Sequence, residues 1–390
     1  MVGIKVLHTA DNHLDPTARF LGPKELDRRR DFLKAFNTVI KYAMDYKPDI
    51  VLVSGDLYDK VNPRNPVRMH VIRAFRRLSS EGIKIFMVGG NHETPRSVEE
   101  GASPIHEIEA AGYATFFSSV KEVSSHHIKV KGLDVCVSGA SFDHTMSEDA
   151  DPLSVLRIPV EGDVNIALLH YNLDSFAIPD LWKAPTIRET SVPRDLHYLA
   201  LGHLHRHQYK RIGRTLAVYP GSTERRSFIE ERDPSKGFVW LEVNEDGVQS
   251  LRLVEIPSRP MKTVKVFLDE SDRDPVKKVV RAALTARNPD LILRLRVVGR
   301  LPLNALSRYN RSEVIKKLGG EFFHVVVDDR GLEYLCEEVE FEVETEFSPK
   351  NAFKMYVESL IEKSKNPEER EVLKRTLSYG LGMLDEVGAW

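Results

Sequence analysis

Val51-Leu52-Val53-Ser54-Gly55-Asp56-Leu57-Tyr58-Asp59 decides the fold. Its first half, with Ile50 in front, is a short unbroken apolar run, the pattern of a strand buried on both faces. Ser54 and Gly55 break the run, and glycine permits the sharp backbone turn that ends such a strand. Asp56 then stands at the carboxyl edge, where open α/β sheets place their ligand sites. A single Gly-Asp after a strand is a weak signal, because aspartate there also caps a following helix. Here the arrangement recurs: four further strand-like runs end in a metal-ligand residue type.

Ile4–Ala10 is the first of these and leads into Asp11-Asn12-His13. Glu25–Tyr46 carries Phe32, Phe36, Val39, Ile40 and Ala43 at helical spacing. After the Asp56 strand, Pro66–Ser80 reads as an arginine-rich helix, and Lys84–Val88 runs into Gly89-Gly90-Asn91-His92-Glu93. Strands alternating with helices indicate a sheet with helices packed on it. Short strands are expected between Ser119 and Phe142, turning at Lys131-Gly132. Val164–Leu169 then precedes His170, and Leu196–Leu201 precedes Gly202-His203-Leu204-His205. Thr215–Tyr219, Gly237–Val243 and Ser250–Ile256 are expected as sequential antiparallel strands. The fold class is α/β: a mixed β-sandwich flanked by helices, with five loops collected at strand ends.

The chain divides further along. Two prolines within Pro257–Pro260 mark a linker. Beyond it a small α+β unit is expected, with strands at Thr263–Leu268, Leu291–Val298 and Phe322–Val327 and helices at Pro275–Ala286 and Ser312–Leu318. Ser348-Pro349 and Asn366-Pro367 both pair an N-cap residue with proline at the first helical position, so the tail reads as two helices. The expected organisation is a main domain over 1–256, an accessory domain over 261–346 and a helical segment over 347–390.

Composition bounds the class. With 390 residues, 42% hydrophobic and 29% charged, the chain has material for two or three globular domains. No apolar run approaches the roughly 18 residues of a membrane span, and Met1 leads straight into a strand pattern, so neither a membrane segment nor an export signal is expected. Cys136 and Cys336 make no disulfide framework, which fits a reduced, cytoplasmic setting. The net charge of −2 is unevenly spread. Pro257–Gly320 holds 15 Lys and Arg against 6 acids, whereas Glu321–Glu346 holds 10 acids against one base. A polyanion would meet local patches, not a uniformly basic surface.

Collected from the strand ends, Asp11, His13, Asp56, Asn91, His92, His170, His203 and His205 form one constellation. Oxygen and imidazole donors together suit borderline divalent ions such as manganese, iron or zinc. Residues two apart on an extended loop point the same way, so Asp11/His13 and His203/His205 are plausible ligand pairs. A carboxylate shared by two ions would hold them roughly 3.5–4 Å apart, as in two-metal hydrolases. Asp56, with ligand groups before and after it, is the natural bridge. The isolated His106, His144 and His197 read as ordinary surface or core residues, and His207 is not needed as a ligand.

Asp11-x-His13, Gly55-Asp56-x-x-Asp59, Gly90-Asn91-His92-Glu93, His170 and Gly202-His203-x-His205 resemble the motif set of the calcineurin-like metallophosphoesterases. Within them the chain is most similar to the Mre-eleven/SbcD family of DNA-repair nucleases, archaeal type. His8–His13, Gly55–Tyr58 and Tyr219-Pro220-Gly221-Ser222-Thr223-Glu224-Arg225 carry that resemblance, which is good over about 1–256 and weaker beyond. It implies one manganese ion on Asp11, His13, Asp56 and His205, and a second on Asp56, Asn91, His170 and His203, with His92 acting in the chemistry. It further implies exonuclease and endonuclease action on DNA in double-strand-break repair, a homodimer, and a Rad-fifty/SbcC-type ATPase partner bound through the C-terminal helices. Asp59 stands where many relatives have histidine, which bears on exonuclease action. No Walker A pattern occurs, so ATP use would fall to the partner.

The rival reading is a metallophosphoesterase acting on a small phosphodiester or nucleotide. The basic segment after the linker distinguishes them, since a small substrate has no need of a basic accessory domain. Arg64 and Arg96, just beyond two ligand-bearing strands, are candidate contacts to DNA phosphates.

Overall fold

In β1 (Ile4–Thr9), Ile4 and Val6 turn to one face and Leu7 to the other, and all three are fully buried. Both faces of this strand must therefore be covered. The helix α1 (Glu25–Tyr46) covers one, through Phe32, Phe36, Val39, Ile40 and Ala43, and ends at Lys47 in the left-handed region just before Pro48. The succession β2 (Ile50–Ser54), α2 (Asn65–Ser80), β3 (Lys84–Val88), α3 (His106–Ala110) and β4 (Thr115–Phe117) follows. These observations come from a computed structural model that describes residues 3–176, 178, 182–302, 308–335 and 349–386.

The next strands are β5 (Ser124–Val130), β6 (Leu133–Gly139) and β7 (Val164–His170), then the short pair β8 (Asn172–Leu173) and β9 (Thr186–Ile187). After them come β10 (Tyr198–Gly202), β11 (Gln208–Ile212), β12 (Thr215–Tyr219), β13 (Lys236–Asn244) and β14 (Gly247–Ile256). Two six-stranded sheets result, ordered β14-β13-β1-β2-β3-β4 and β11-β12-β10-β7-β6-β5. Ile4, Val6, Ile50, Leu52 and Phe86 of the first pack against Val135, Val137, Ile166, Leu168 and Val218 of the second. A large-to-small change inside this layer, such as Leu52→Ala, would cost about 2–5 kcal/mol. The parallel strands β1, β2 and β3 and the parallel strands β7 and β10 all bring their carboxyl ends to one region. That region holds the candidate metal-ligand residues.

One expectation needs correcting. Thr215–Tyr219 and Gly237–Val243 are not neighbours: β12 lies parallel to β10 in the second sheet, and β13 lies antiparallel to β1 in the first. The antiparallel partner of β12 is β11, whose charged, half-exposed alternation marks an edge strand rather than a buried run. Residues 220–235 carry the chain from one sheet to the other. Only β13 and β14 form the expected hairpin.

The accessory sheet has the order β15 (Met261–Leu268), β16 (Asn288–Pro302), β17 (Phe322–Leu335), with α4 (Pro275–Leu284) and α5 (Arg311–Lys317) packed on it through Val276, Val279 and Val314. Asp274 accepts a hydrogen bond from the Lys277 amide at 2.9 Å, and Pro275 takes the first helical position. Met261 and Ile292 meet Ala18 and Leu21, and Arg259 reaches Asp31 of α1 with a 2.6 Å ion pair. Residues 1–334 accordingly form one compact unit.

The second unit, 335–390, holds α6 (Pro349–Lys363) and α7 (Pro367–Glu386). They run antiparallel, since Lys350 at the start of α6 pairs with Asp385 at the end of α7. Asn366 caps α7 by accepting from the Glu368 amide at 3.0 Å. The matching Ser348 cap and the 346/347 division lie outside the described residues. Among the described residues no helix is long and apolar enough to cross a membrane.

Candidate metal centre

Beyond β1 and β2 the chain continues to pair as if the two strands went on. The Asp11 amide donates to the Gly55 carbonyl at 3.1 Å, His13 to Asp56 at 2.9 Å, and Leu14 to Leu57 at 2.9 Å. The two loops are thus zipped together, at a conformational cost: Asp11, His13, Asp15, Asp56 and His203 all have positive φ. Non-glycine residues are held in that region only where the surroundings over-determine them, and such positions cluster at functional sites.

Each buried aspartate uses part of its carboxylate to fix a neighbouring loop. Asp56 Oδ1 accepts from the His92 amide at 2.9 Å, and Asp11 accepts from the His203 amide at 3.1 and 3.2 Å. A Cβ at Gly90 would overlap the Asp56 carboxylate, so only glycine lets the third loop come this close. Glu93, fully buried, ties the second and third loops together. It accepts from the amides of Leu57 at 3.1 Å, Tyr58 at 2.7 Å and Gly90 at 3.3 Å. Burial, reinforced by the Asp56 charge, pushes its carboxyl up to about 8.

Two sets of donor atoms converge. In one, His13 Nε2 lies 3.0 Å from His205 Nε2 and 3.7 Å from Asp56 Oδ2, and His205 Nε2 lies 3.8 Å from Asp11 Oδ1. The other nitrogens of both rings face carboxylates, His13 Nδ1 to Asp59 at 3.3 Å and His205 Nδ1 to Glu230 at 3.1 Å, though off the ideal hydrogen-bond line. A carboxylate behind a histidine holds the proton on that side and aims the other nitrogen's lone pair inward. In the second set, Asn91 Oδ1 lies 3.2 Å from His170 Nε2 and 3.0 Å from His203 Nδ1, and His170 Nε2 is 3.5 Å from Asp56 Oδ2. His170 Nδ1 donates to the Ser54 carbonyl at 2.7 Å, and His203 Nε2 approaches the Trp182 carbonyl at 3.4 Å.

The donor sets suit divalent cations. Two imidazole nitrogens facing each other at 3.0 Å leave lone pair against lone pair once both outer nitrogens carry protons, and a cation between them resolves that conflict. Burial depresses His13 and His203 to about 3, so both rings are neutral and free to ligate. Burial alone would also lower His170, but the Asp56 carboxylate outweighs it and carries the ring up to about 9. Burial would raise Asp56, yet His170 and His92 hold it well below the usual carboxylate range. These two shifts are the two sides of one attraction, between the His170 ring and the Asp56 carboxylate.

His92 sits beside both sets. Its Nδ1 is 3.1 Å from the Asp59 carbonyl oxygen, which fixes the proton there, and Nε2 stands 4.0 Å from Asp56 Oδ2. Among the described residues, the groups whose donor atoms lie close enough to hold one ion are Asp11/His13/His205, His13/Asp56/His92 and Asp11/Asp56/His170. Six of the eight strand-end residues are in these groups, and Asn91 and His203 join them, with Asn91 Oδ1 lying 3.2 Å from His170 Nε2 and 3.0 Å from His203 Nδ1. Arg64 does not reach it freely, because its Nε and amide bind the buried Asp15 carboxylate at 2.8 and 2.9 Å. Arg96 lines, with Lys60 and His92, an open cavity of about 390 Å³. His197 accepts the Asn165 amide, His207 faces the Tyr219 carbonyl and His144 the Thr94 carbonyl, so these histidines have structural partners.

Residues 4–207 match the calcineurin-like phosphoesterase family, just over half of the chain. The chain belongs to that family. Among its relatives is the DNA double-strand break repair protein Mre11 of Methanocaldococcus jannaschii, 28% identical over 70% of this chain and 73% of that protein. The protein of the same name from Haloferax volcanii is 32% identical over 68% of this chain and 55% of that protein. A component of the nuclease SbcCD of Bacillus subtilis is 29% identical over 62% of this chain and 69% of that protein. This phosphoesterase therefore falls with the Mre-eleven/SbcD proteins, and phosphodiester hydrolysis is its activity class. The alignment with these relatives spans from just over half to about three-quarters of their lengths.

Sequence reasoning passed over several residues that shape this phosphoesterase centre. Glu93 ends the motif Gly90-Asn91-His92-Glu93, and nothing in that motif marks it as the tie between two loops. Glu230 carried a signal of another kind, since Ser227-x-x-Glu230 is a capping box and the cap is formed. Its contact with His205 crosses 25 residues and leaves no periodic trace.

Proposed function

We propose that this chain is a manganese-dependent DNA nuclease that hydrolyses phosphodiesters at DNA ends, with exonuclease and endonuclease action in double-strand-break repair. The observation that carries the reading is the pair of donor sets sharing Asp56, with His92 Nε2 beside them. Asp11, His13, Asp56 and His205 would hold one ion, and Asp56, Asn91, His170 and His203 the other. Two such ions supply Lewis acidity to the phosphoryl oxygens and acidify water. The protein's own part is orientation and proton handling. Asp59 and Glu230 aim the two imidazoles of the first set, and Glu93 keeps the Asp56 and Asn91 loops in register. His92, its Nδ1 proton anchored on the Asp59 carbonyl, presents Nε2, and as the imidazolium it would give the Nε2 proton to the leaving oxygen and return to the neutral ring.

Residues 1–256 then form the nuclease domain and 261–346 a DNA-binding cap. The cap's exposed Arg296 and Arg300 are available to a phosphate backbone, the latter now paired with Glu333 at 2.8 Å. Residues 347–390 are the docking segment for a Rad-fifty/SbcC-type ATPase, and the working form is a dimer. Exposed Met355, Tyr356, Val372, Tyr379 and Met383 on the tail helices support an interface there. The decisive experiment is cleavage of end-labelled duplex and single-stranded DNA with manganese, magnesium or chelator. Hydrolysis of a nitrophenyl diester with no DNA cleavage under any metal returns the protein to the small-substrate phosphoesterases.

A further inference from the structure

The chain leaves His170 as β8 and comes back as β9, and on the way back Trp182 meets the metal centre. Asn172 and Leu173 pair with Thr186 and Ile187, which closes the base of this excursion just beyond a candidate ligand. Asn172 is buried, and its Nδ2 donates to the Trp182 carbonyl at 3.0 Å and to the Ala184 carbonyl at 3.5 Å. Trp182 is thus tied to the strand that carries His170. Its side chain is partly buried against the apolar cluster of Tyr171, Leu173 and Tyr219.

From that anchored place Trp182 touches one histidine of each donor set. Its carbonyl lies 3.4 Å from His203 Nε2. A carbonyl only accepts, so it keeps the ring proton on Nε2 and leaves the Nδ1 lone pair facing Asn91 Oδ1 at 3.0 Å. Its indole lies against the His205 ring, with centroids 4.4 Å apart and planes 51° to each other. Glu230 decides which His205 nitrogen carries the proton. An imidazole held at one atom can still swing, because the torsion that turns the ring is soft. The indole face blocks that swing on one side. One residue therefore aims a ligand of each set, and neither contact uses a charged group.

We infer that Trp182 is a positioning residue of the metal centre, joining the two donor sets through the orientation of His203 and His205. Its carbonyl serves the ion on Asn91, His170 and His203, and its indole serves the ion on Asp11, His13 and His205. The inference rests on the two-ion reading of the centre. It adds a residue outside the ligand set that acts on both ions.

The test is manganese titration of the full chain, followed by electron paramagnetic resonance and by tryptophan emission. Manganese should quench part of the wild-type emission, and that part should be missing from Trp182→Phe. Trp182→Ala should weaken one of the two ions by roughly tenfold or more, and Trp182→Phe, which keeps a ring face, should recover most of the loss. Asn172→Ala keeps the indole but frees the carbonyl, and should weaken the second ion as well. A residue that only fills space would lower the metal-free melting temperature and leave both affinities alone. Wild-type affinity for both ions in Trp182→Ala overturns the positioning role, as does an equal loss in Trp182→Phe or quenching that survives there unaltered. A wild-type chain that binds no manganese refutes the two-ion reading itself, and the role of Trp182 falls with it.

Discussion

Glu230→Gln is an isosteric change that asks whether a carboxylate outside the ligand set governs metal binding. Glu230 is fully buried and uses both oxygens. Oε1 faces His205 Nδ1 at 3.1 Å and accepts the Arg226 and Ser227 amides at 2.9 and 3.2 Å. Oε2 takes the Lys236 ammonium at 2.6 Å and the Ser222 hydroxyl at 3.1 Å. Glutamine has one acceptor oxygen and one NH₂, so whichever way it turns, a donor meets a donor. If the NH₂ faces His205, the ring loses the partner that aims Nε2 inward. If it faces Lys236, the ammonium keeps only Asp233 at 2.6 Å and the His205 carbonyl at 2.8 Å. Loss of a charged hydrogen bond costs about 1.5–3 kcal/mol of stability. Removal of the group that orients a ligand histidine typically costs roughly 10–100-fold in metal affinity. Manganese titration followed by electron paramagnetic resonance should show one of two ions weakened by about that factor and the other, on Asn91, His170 and His203, nearly unchanged. Urea unfolding of the metal-free protein measures the stability part separately. Two ions bound with wild-type affinity, in a variant that has lost stability, would show that Glu230 only supports the fold.

His92→Gln should leave both ions bound and DNA affinity near wild type while cleavage falls by roughly 10²–10⁴-fold. A parallel loss of metal would instead make it a ligand, as its place in the His13/Asp56 group allows. His8, locked between the Tyr198 hydroxyl at 2.8 Å and Ser54 Oγ at 2.9 Å, is depressed by burial to about 3. It is neutral when folded and titrates near 6.5 when unfolded, so its contribution to stability is present above pH 6.5 and declines as pH falls toward 3. Its share of the slope is about 1.4 kcal/mol per pH unit. Denaturant unfolding of metal-free His8→Gln across that window should show a shallower slope than wild type; an equal slope places the proton uptake elsewhere. Glutamate at both Arg296 and Arg300 should lower the logarithmic salt slope of duplex binding by about 0.9 for each phosphate that is no longer met, and no change would mark that face as solvated surface. Ending the chain after Glu346 should abolish capture of the Rad-fifty/SbcC-type ATPase while manganese-dependent cleavage and cooperative melting persist; loss of cleavage would make the tail part of the catalytic fold.

What could be read from the sequence has a physical boundary. Local interactions leave a period behind them. The helical rhythm of Phe32, Phe36 and Val39 placed α1 at its observed ends, and the apolar run Lys84–Val88 placed β3 at its own. The candidate ligand residues could be gathered because each follows the carboxyl end of a strand, and the parallel strands bring those ends together. β11 escaped because an edge strand meets solvent on alternate residues, and its Lys210 and Arg211 resemble a loop. The assignment of β12 and β13 to different sheets was illegible for another reason. Both are largely apolar, and nothing in a strand buried on both faces records which sheet it joins.

The residues behind the ligands fall beyond the same boundary. Asp59, Glu93 and Glu230 act across 46, 36 and 25 positions on His13, Leu57 and His205, and each is one carboxylate among the 58 acids of the chain. Only their burial distinguishes them. A buried carboxylate is costly unless its oxygens are all occupied, so each of these three must have been given several donors by the fold. For Glu93 those donors are amides of the Asp56 and Asn91 loops, whereas Asp59 and Glu230 each stand between a candidate ligand histidine and a cation, Arg226 or Lys236. The groups that hold the centre rigid are thus the ones that would destabilise the protein most if the centre came apart. Because Glu230 joins a candidate ligand histidine and a buried lysine, Glu230→Gln is expected to change both stability and metal affinity, and the two must be measured apart.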